Sequence, residues 1–181
     1  MIELKMPITE ETARKLTCGD VVSISGTIYT GRDAAHKRLI ECINDKKELP
    51  FDVNGQAIYY VGPTPSKPGE IIGSAGPTTS YRMDDLTIPL LSRGLRMMIG
   101  KGKRNKEVIE GMEKYGAVYL AAIGGAGAYI SNSITKCEII AYEDLGAEAI
   151  RKLEVKDLQL IVAIDSYGNN IYKKGREQYA K

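Results

Sequence analysis

The fold class of this chain is decided by Val21-Val22-Ser23-Ile24-Ser25-Gly26-Thr27-Ile28-Tyr29. Apolar and polar residues alternate along this run, which predicts a half-buried β-strand in which Gly26 marks a bulge. Thr30-Gly31-Arg32-Asp33 then leads into a helix predicted from Ala34 to about Asn44. Asp33 lies where a carboxylate stabilises a helix N-terminus. A strand followed at once by a helix is the repeating unit of an α/β domain.

The same alternation continues outward from this unit. Further strands are predicted at residues 57–61, 95–99, 117–123, 138–142, 151–155 and 160–164, with a short one at 71–72 inside a Pro- and Gly-rich loop. Helices are predicted at 81–93, where Pro89 must kink or split the helix, and after the cap residue Asn105 as far as Tyr115. The pattern predicts a single α/β layered domain, residues 1–181. Because long helices do not separate the last strands, a second sheet is also predicted.

Composition excludes several functional classes. The chain has 181 residues, 27% of them charged, and a net charge of only +2, which argues against a bulk nucleic-acid binder. Met1-Ile2-Glu3-Leu4-Lys5 has no basic segment followed by an apolar one, and no apolar run approaches the length of a membrane span. A soluble cytoplasmic protein is therefore expected.

The three cysteines, Cys18, Cys42 and Cys137, are widely separated in sequence. They have no C-x-x-C spacing, so buried thiols are predicted rather than disulfides or a zinc site. Their spacing also does not suit an iron–sulfur cluster.

A candidate anion site lies in Gly76-Pro77-Thr78-Thr79-Ser80-Tyr81-Arg82. Gly76 and Pro77 break regular structure, and Thr79 or Ser80 is predicted to cap the helix that follows. Backbone N–H groups at such a helix start attract a carboxylate or phosphate. Arg82, one turn inside the helix, is predicted to reach the same anion with its guanidinium fork.

Two more cations follow predicted strands, Arg32 and Lys101. Ligands of α/β sheets collect at the carboxyl ends of the strands, so these two residues and Arg82 are predicted to bind a doubly negative small molecule. The alternative is that each is an ordinary solvated charge. His36, the only histidine, lies four residues after Arg32. It is interpreted either as a general acid or base, or as a side chain that orients Arg32 or caps a backbone group.

Two further motifs are given structural interpretations. Gly124-Gly125-Ala126-Gly127-Ala128 lacks the G-x-G-x-x-G spacing of a dinucleotide site, and close backbone packing is the better interpretation. The run Asp165 to Asn170 alternates Asp and Asn but lacks the glycine and glutamate of a calcium-binding loop, so a hairpin turn is predicted.

The chain as a whole resembles the C-terminal domain, or separate β subunit, of class I iron–sulfur fumarases and the related L-tartrate dehydratases. The resemblance covers nearly all of the sequence. It is carried by residues 25–38 (SGTIYTGRDAAHKR), 58–63 (IYYVGP), 68–70 (PGE), 73–84 (GSAGPTTSYRMD), 101–102 (KG), 124–125 (GG) and 145–150 (LGAEAI).

The resemblance implies a swivelling β/β/α domain, as in aconitase-like enzymes, and the reversible hydration of fumarate to S-malate, a reaction of the tricarboxylic acid cycle. It also implies a hetero-oligomer, or a homo-oligomer when the chain is isolated. The [4Fe–4S] cluster would be held by a partner α subunit. Contact with the dicarboxylate substrate is implied for five residues: Arg32, Thr78, Thr79, Arg82 and Lys101. Thr78 would be the catalytic base.

Two positions depart from the family pattern. The family commonly has a Lys-Gly-Asn-Arg run where this chain has Lys101-Gly102-Lys103-Arg104, so Lys103 is an alternative to Lys101. Tyr81 stands where a small residue is common. Two functional alternatives also remain: the β subunit of an L-tartrate dehydratase, whose substrate is also a dicarboxylate, and a non-catalytic dicarboxylate-binding module.

Overall fold

The computed structural model describes residues 1–122 and 126–173. These residues form seven strands: β1 (Ile2–Lys5), β2 (Val21–Thr30), β3 (Ala57–Tyr59), β4 (Met97–Gly100), β5 (Val118–Ala122), β6 (Ile134–Ala141) and β7 (Ile150–Ile164). They also form five α-helices: α1 (Glu10–Arg14), α2 (Asp33–Asn44), α3 (Asp84–Leu91), α4 (Lys106–Tyr115) and α5 (Ala126–Ser133). Two 3₁₀ segments cover Ser80–Met83 and Glu143–Glu148. The predicted mixed α/β class is confirmed.

The strands close into a small barrel. β2, β3, β4 and β5 are parallel neighbours, and β7 is antiparallel to both β5 and β2. Leu160 and Ile161 of β7 pair with β2 on one side and with β5 on the other, which closes the ring. β1 lies parallel to the first half of β2, and β6 lies antiparallel to the first half of β7.

The predicted second sheet is wrong, because the two predicted strands at residues 151–155 and 160–164 are one strand. β7 runs for 15 residues and pairs with β2, β5 and β6, so all seven strands belong to one sheet. The connection between the two predicted strands is therefore not a turn. Asp157, at its centre, has a φ of 52° and donates its backbone N–H to Ser25.

Alternate residues of the barrel strands fill two hydrophobic clusters. One contains Ile24, Tyr59 and Leu120. The other contains Ile58 and Tyr119, and it packs against the apolar faces of α2, α3 and α4. This two-residue period is the expected consequence of side chains that point to opposite faces of a strand. The helices on that face fix the loops that leave β2 and β4.

The local predictions for α2 and α4 are confirmed. α2 begins at Asp33, as the acidic residue suggested. The side chain of Asn105 accepts the N–H of Val108 at 2.8 Å, so it caps α4. Gly116, with a φ of 66°, ends the same helix in the left-handed conformation that glycine adopts at little cost.

The helix predicted at residues 81–93 differs from the observed one. It begins as the 3₁₀ turn Ser80–Met83 and becomes α3 at Asp84, so the change of geometry does not fall at Pro89. Pro89 lies inside α3, and its missing N–H removes one backbone bond from a helix that ends two residues later at Leu91. The predicted strand at residues 71–72 is also wrong, because these residues lie in the loop.

The run Asp165 to Asn170 forms a tight turn closed by a bridge between Ile164 and Asn170, but helical residues rather than a strand follow it. Gly124 and Gly125, in the glycine- and alanine-rich run from Gly124 to Ala128, lie outside the described residues. Within the described part of the chain, no helix combines the length and the apolarity needed to cross a bilayer.

Candidate functional site

The candidate site lies at the carboxyl ends of β2, β3 and β4. In the parallel register, Thr30 pairs with Tyr59, and Tyr59 pairs with Ile99. Arg32 follows β2 by two residues and Lys101 directly follows β4. Both cations therefore lie at the same end of the barrel, where the parallel strands have their carboxyl ends, and β3 lies between them.

The Thr78–Thr79 loop occupies the space between the ends of β3 and β4. Thr78 donates its N–H to the carbonyl of Tyr60 at 2.7 Å, and Lys101 donates its N–H to the carbonyl of Thr78 at 3.3 Å. Ser80 in turn donates its N–H to the carbonyl of Lys101 at 3.0 Å, which completes a parallel bridge between Thr79 and Lys101. The structure thus brings Thr78, Thr79 and Lys101 together, although Thr79 and Lys101 are 22 positions apart in the sequence.

Two backbone amides of the predicted anion-binding turn already have partners. The N–H groups of Thr78 and Ser80 already donate to carbonyls. Thr79 is the N-cap residue of the 3₁₀ turn, but its side chain makes no capping bond. Ser80 is buried, and its Oγ lies 2.8 Å from the Tyr119 hydroxyl. The predicted Thr79 or Ser80 side-chain cap is therefore wrong, and the N–H groups of Thr78 and Ser80 are not available to an anion.

The side chains of the loop are available for binding. Arg82 and Lys101 are exposed, and Thr78 and Thr79 are partly exposed. Among residues 1–122 and 126–173, none of these four side chains takes part in a hydrogen bond or an ion pair. Tyr81 is 63% exposed, so it faces solvent at the same edge rather than the core. The site is an open surface with two cations and two free hydroxyls.

Arg32 is held more firmly than the other cations. Its Nη2 lies 3.3 Å from Oε1 of Glu148, and its side chain is 24% exposed. Its Nε lies 4.0 Å from Oδ1 of Asp33, too far for a hydrogen bond, and neither of these buried atoms has a hydrogen-bond partner within the described ranges. Arg32 thus keeps donors that Glu148 does not use.

His36 is a backbone-capping residue. It is fully buried, and its Nδ1 lies 2.8 Å from the carbonyl oxygen of Arg32, so Nδ1 carries the proton and donates it. Burial lowers the pKa of His36 to about 4, and the positive charge of Arg104 adds to this effect. This burial argues against a general acid or base near neutral pH, and the Nδ1 hydrogen bond confirms the backbone-capping interpretation.

Sequence reasoning missed a buried ion pair beside the candidate site, between Asp84 and Arg104. Arg104 lies at the end of the Lys101-Gly102-Lys103-Arg104 run, but its guanidinium is buried against the Asp84 carboxylate. Burial opposes its charge, yet Tyr60 and Asp84 outweigh this effect and raise the pKa of Arg104. An Asp and an Arg that lie 20 positions apart give no sign in a single sequence that they are paired.

The structure separates the two candidate lysines. Lys101 lies beside Thr79 in the parallel bridge. Lys103 instead lines a separate cavity of about 250 Å³, together with Lys106 and Tyr172. Of the two lysines, the geometry places Lys101 beside the Thr78–Thr79 loop.

The cysteines do not form a cofactor site. Cys18 precedes β2, Cys42 lies in α2 and Cys137 lies in β6, and all three are partly exposed rather than buried as predicted. In the part of the chain that the structure describes, no three His, Cys, Asp or Glu side chains are grouped as metal ligands. The residues described here do not fit a [4Fe–4S] cluster.

Fold and site together define an α/β barrel domain with an open, cation-rich edge. The family model described as Fumarase C-terminus matches residues 1–175. The chain belongs to the fumarase C-terminus family.

Relatives of two different lengths share this domain. A Methanocaldococcus jannaschii protein, provisionally named as the beta subunit of an L(+)-tartrate dehydratase, is 40% identical over 173 residues, or 92% of this chain and 89% of that protein. A provisionally named class I fumarate hydratase of Geobacillus stearothermophilus is 40% identical over 96% of this chain but only 34% of its own length. The anaerobic class I fumarate hydratase of Escherichia coli is 39% identical over 96% of this chain and 32% of its own length. The chain thus spans about a third of these fumarate hydratases.

Proposed function

We propose that this chain is the β subunit of a class I fumarate hydratase, which hydrates fumarate reversibly to S-malate together with an α subunit that holds a [4Fe–4S] cluster. The observation that carries this proposal is the backbone bridge between Thr79 and Lys101, which brings the Thr78–Thr79 loop next to Lys101 at the strand ends. The lengths of the relatives support the partner: the domain is almost a whole protein in one relative and a third of the chain in others. The domain is proposed to have the swivelling β/β/α arrangement of its family.

Three cations are proposed to bind the substrate carboxylates. Arg32 and Lys101 leave neighbouring parts of the same barrel edge, and Arg82 lies in the turn that follows Thr78 and Thr79. A guanidinium offers a planar pair of donors that matches a carboxylate, whereas the Lys101 ammonium acts as a point charge. The same charges would stabilise the extra negative charge that develops when a proton leaves the carbon next to a carboxylate.

Thr78 is proposed to be the base that removes this proton, and Thr79 to donate a hydrogen bond to the substrate. A threonine hydroxyl is a poor base in water, because its alkoxide is costly. Nearby cations lower that cost strongly once water is excluded. His36 does not take this role, because it is fully buried and its Nδ1 proton is used by Arg32.

The partner is proposed to exclude water from the site. Arg82, Lys101 and Tyr81 are exposed at the barrel edge, and no element within residues 1–122 or 126–173 covers them. A second surface that docks here would create the closed cleft in which positioned groups act efficiently. Catalysis would then occur at the interface of the two subunits.

The β subunit of an L-tartrate dehydratase is the second candidate. The observation that favours it is the archaeal relative, which carries that provisional name and matches this chain over 89% of its own length. Tartrate has the same two carboxylates, so the cations would serve it equally well. Its additional hydroxyl needs a hydrogen-bond partner that fumarate does not.

The experiment that tests the proposal is anaerobic co-expression of this chain with its α subunit, followed by assays with fumarate, S-malate and L-tartrate. Conversion of fumarate and S-malate with the highest kcat/KM supports the fumarase assignment. A higher kcat/KM for L-tartrate selects the second candidate. Tight dicarboxylate binding by the isolated chain, without turnover by the complex, would instead indicate a non-catalytic binding module.

A further inference from the structure

Glu148 belongs to a motif, Leu145 to Ile150, to which the proposed reaction assigns no role. We propose that Glu148 is a positioning residue that orients the guanidinium of Arg32 for the substrate carboxylate. This inference rests on the proposed function, because it takes Arg32 to be a substrate-binding residue. It concerns a residue that acts through Arg32 and does not itself touch the substrate.

The two carboxylate oxygens of Glu148 have different partners. Oε1 lies 3.3 Å from Nη2 of Arg32, and Oε2 accepts the backbone N–H of Ala34 at 3.2 Å. Ala34 lies in the first turn of α2, next to the helix start at Asp33. The carboxylate therefore caps the helix and contacts the guanidinium at the same time, and it is 23% exposed.

Gly62 lies close to the Arg32 side chain. A Cβ atom at Gly62 would lie 2.8 Å from Nη1 and 3.1 Å from Cδ of Arg32, and 3.4 Å from the carbonyl of Ala147. A side chain at Gly62 would displace the guanidinium from its present position. Gly62 and the segment that ends in Glu148 therefore both adjoin the Arg32 side chain.

The backbone of Arg32 is fixed as well. Its carbonyl oxygen accepts the N–H of His36 at 2.9 Å and the ring Nδ1–H of the same residue at 2.8 Å. Both ends of the Arg32 side chain are therefore held. An arginine whose rotamer is already selected loses less freedom when a carboxylate binds, which strengthens binding.

If Glu148 acted only through its charge, it would weaken substrate binding rather than strengthen it. Its negative charge lies beside a site for an anion, so removal of that charge would strengthen substrate binding if Glu148 acted only through its field. If Glu148 positions Arg32, removal of the charge weakens binding. The two roles therefore predict shifts of KM in opposite directions.

The discriminating variant is Glu148→Gln in the reconstituted complex with its α subunit. Glutamine keeps an oxygen that accepts the Ala34 N–H, so α2 remains capped, but it loses the ion pair with Arg32. We expect KM for S-malate to rise about three- to tenfold, the scale of ordering one long side chain on binding. We expect kcat to stay within about twofold, because the cost of ordering the Arg32 guanidinium is met when the substrate binds, before the proton leaves. An unchanged or lower KM would overturn the proposal.

Two controls assign the effect to Arg32. Glu143→Gln removes the same charge from an exposed position of the same 3₁₀ segment and should leave KM unchanged. In an Arg32→Ala background, Glu148→Gln should change KM no further, because the residue through which it acts is gone. An equal rise of KM in that background would show that Glu148 acts independently, and would also overturn the proposal.

A readout without turnover separates this inference from the proposed function. In the isolated chain labelled with ¹⁵N, the guanidinium signals of Arg32, assigned by their loss in Arg32→Lys, report rotation of the group. Glu148→Gln should accelerate that rotation, whereas Glu143→Gln should not. If the complex turns over no dicarboxylate, the proposed function fails, while this measurement still decides whether Glu148 holds Arg32. Equal rotation in parent and Glu148→Gln would overturn the positioning role.

Discussion

Asp84 and Arg104 form a buried ion pair, with Nε of Arg104 2.5 Å from Oδ1 of Asp84, and this pair joins the two loops of the candidate site. Asp84 begins α3, directly after the turn that contains Arg82, and Arg104 follows Lys101 by three residues. The second oxygen of Asp84 accepts the N–H of Asn105 at 2.8 Å, and Nη2 of Arg104 donates to Thr87 at 2.9 Å. The pair thus fixes the Thr78–Arg82 loop relative to Lys101.

Loss of one partner of this pair should destabilise the chain strongly. Arg104→Met leaves the Asp84 carboxylate buried without its cation, so we expect a loss of about 3–5 kcal/mol in the free energy of unfolding. Lys103→Met, at the exposed neighbouring position, should change it by less than about 0.5 kcal/mol. Chemical denaturation of the isolated variants measures both. Equal stabilities of the two variants would show that the buried pair contributes little.

The shape of the Arg82 guanidinium should matter as much as its charge. Arg82→Lys keeps the charge but loses the planar fork, so kcat/KM of the reconstituted complex should fall by at least about tenfold, equivalent to about 1.4 kcal/mol. Arg93→Lys, an exposed arginine after α3, is the matched control and should leave kcat/KM unchanged. Parent-like kcat/KM in Arg82→Lys would mean that Arg82 does not bind the substrate.

Substitutions at Thr78 and Thr79 should separate proton transfer from binding. Thr78→Ala should lower kcat by about 10²-fold or more, the scale of a positioned acid or base, while KM changes little. Thr78→Ser keeps the hydroxyl and should retain much of the activity. Thr79→Ala should cost only about 1 kcal/mol, a net hydrogen bond.

Kinetics with S-malate deuterated at C3 test this ranking, because a slower proton transfer limits the rate more fully and raises the observed isotope effect. If Thr78→Ala keeps the kcat of the parent, another residue is the base. His36 is not that residue, since its ring is buried, so a side chain of the partner becomes the candidate.

The buried His36 should make the fold sensitive to mild acid. Its pKa is about 4 in the folded chain, below the ordinary value of 6.5, so the unfolded chain takes up the proton first. The contribution of neutral His36 to the free energy of unfolding is therefore fully present above pH 6.5. It is lost as the pH falls toward 4. The full loss is roughly 3 kcal/mol, from about 1.36 kcal/mol per pKa unit.

The variant His36→Gln isolates this effect. Its amide can donate to the Arg32 carbonyl but does not titrate. The difference in unfolding free energy between parent and variant should shrink, or reverse in favour of the variant, between pH 6.5 and 4.5. A difference that stays constant over this range would contradict the buried, neutral state of His36.

The local part of this fold could be predicted from the sequence, because it depends on near neighbours. The strand and helix around Arg32, and the caps Asn105 and Gly116 of α4, follow from residue types at fixed spacing. The closure of the barrel could not be predicted in this way. It depends on β7, whose pairing with β2 joins residues more than 120 positions apart.

The candidate site also has a part that local sequence predicts and a part that depends on long-range contacts. Sequence reasoning placed Arg32 and Lys101 at strand ends, and the structure brings them to one edge of the barrel. Glu148 contacts Ala34 across 114 positions, and Arg104 contacts Asp84 across 20 positions. No local sequence pattern encodes either contact. Ser80 was predicted to cap a helix, but its burial against Tyr119 decides its partner.

The most direct test of the central claim is a titration of the isolated chain with its separately purified α subunit under anaerobic conditions. We expect the isolated chain to be colourless, to contain no stoichiometric iron or sulfide and to convert no fumarate. Fumarate hydration should appear on mixing and should saturate at one α subunit for each chain. Stoichiometric iron and sulfide in the isolated chain together with turnover, or no hydration of any dicarboxylate at any ratio, would contradict the claim that this chain is half of a hydro-lyase.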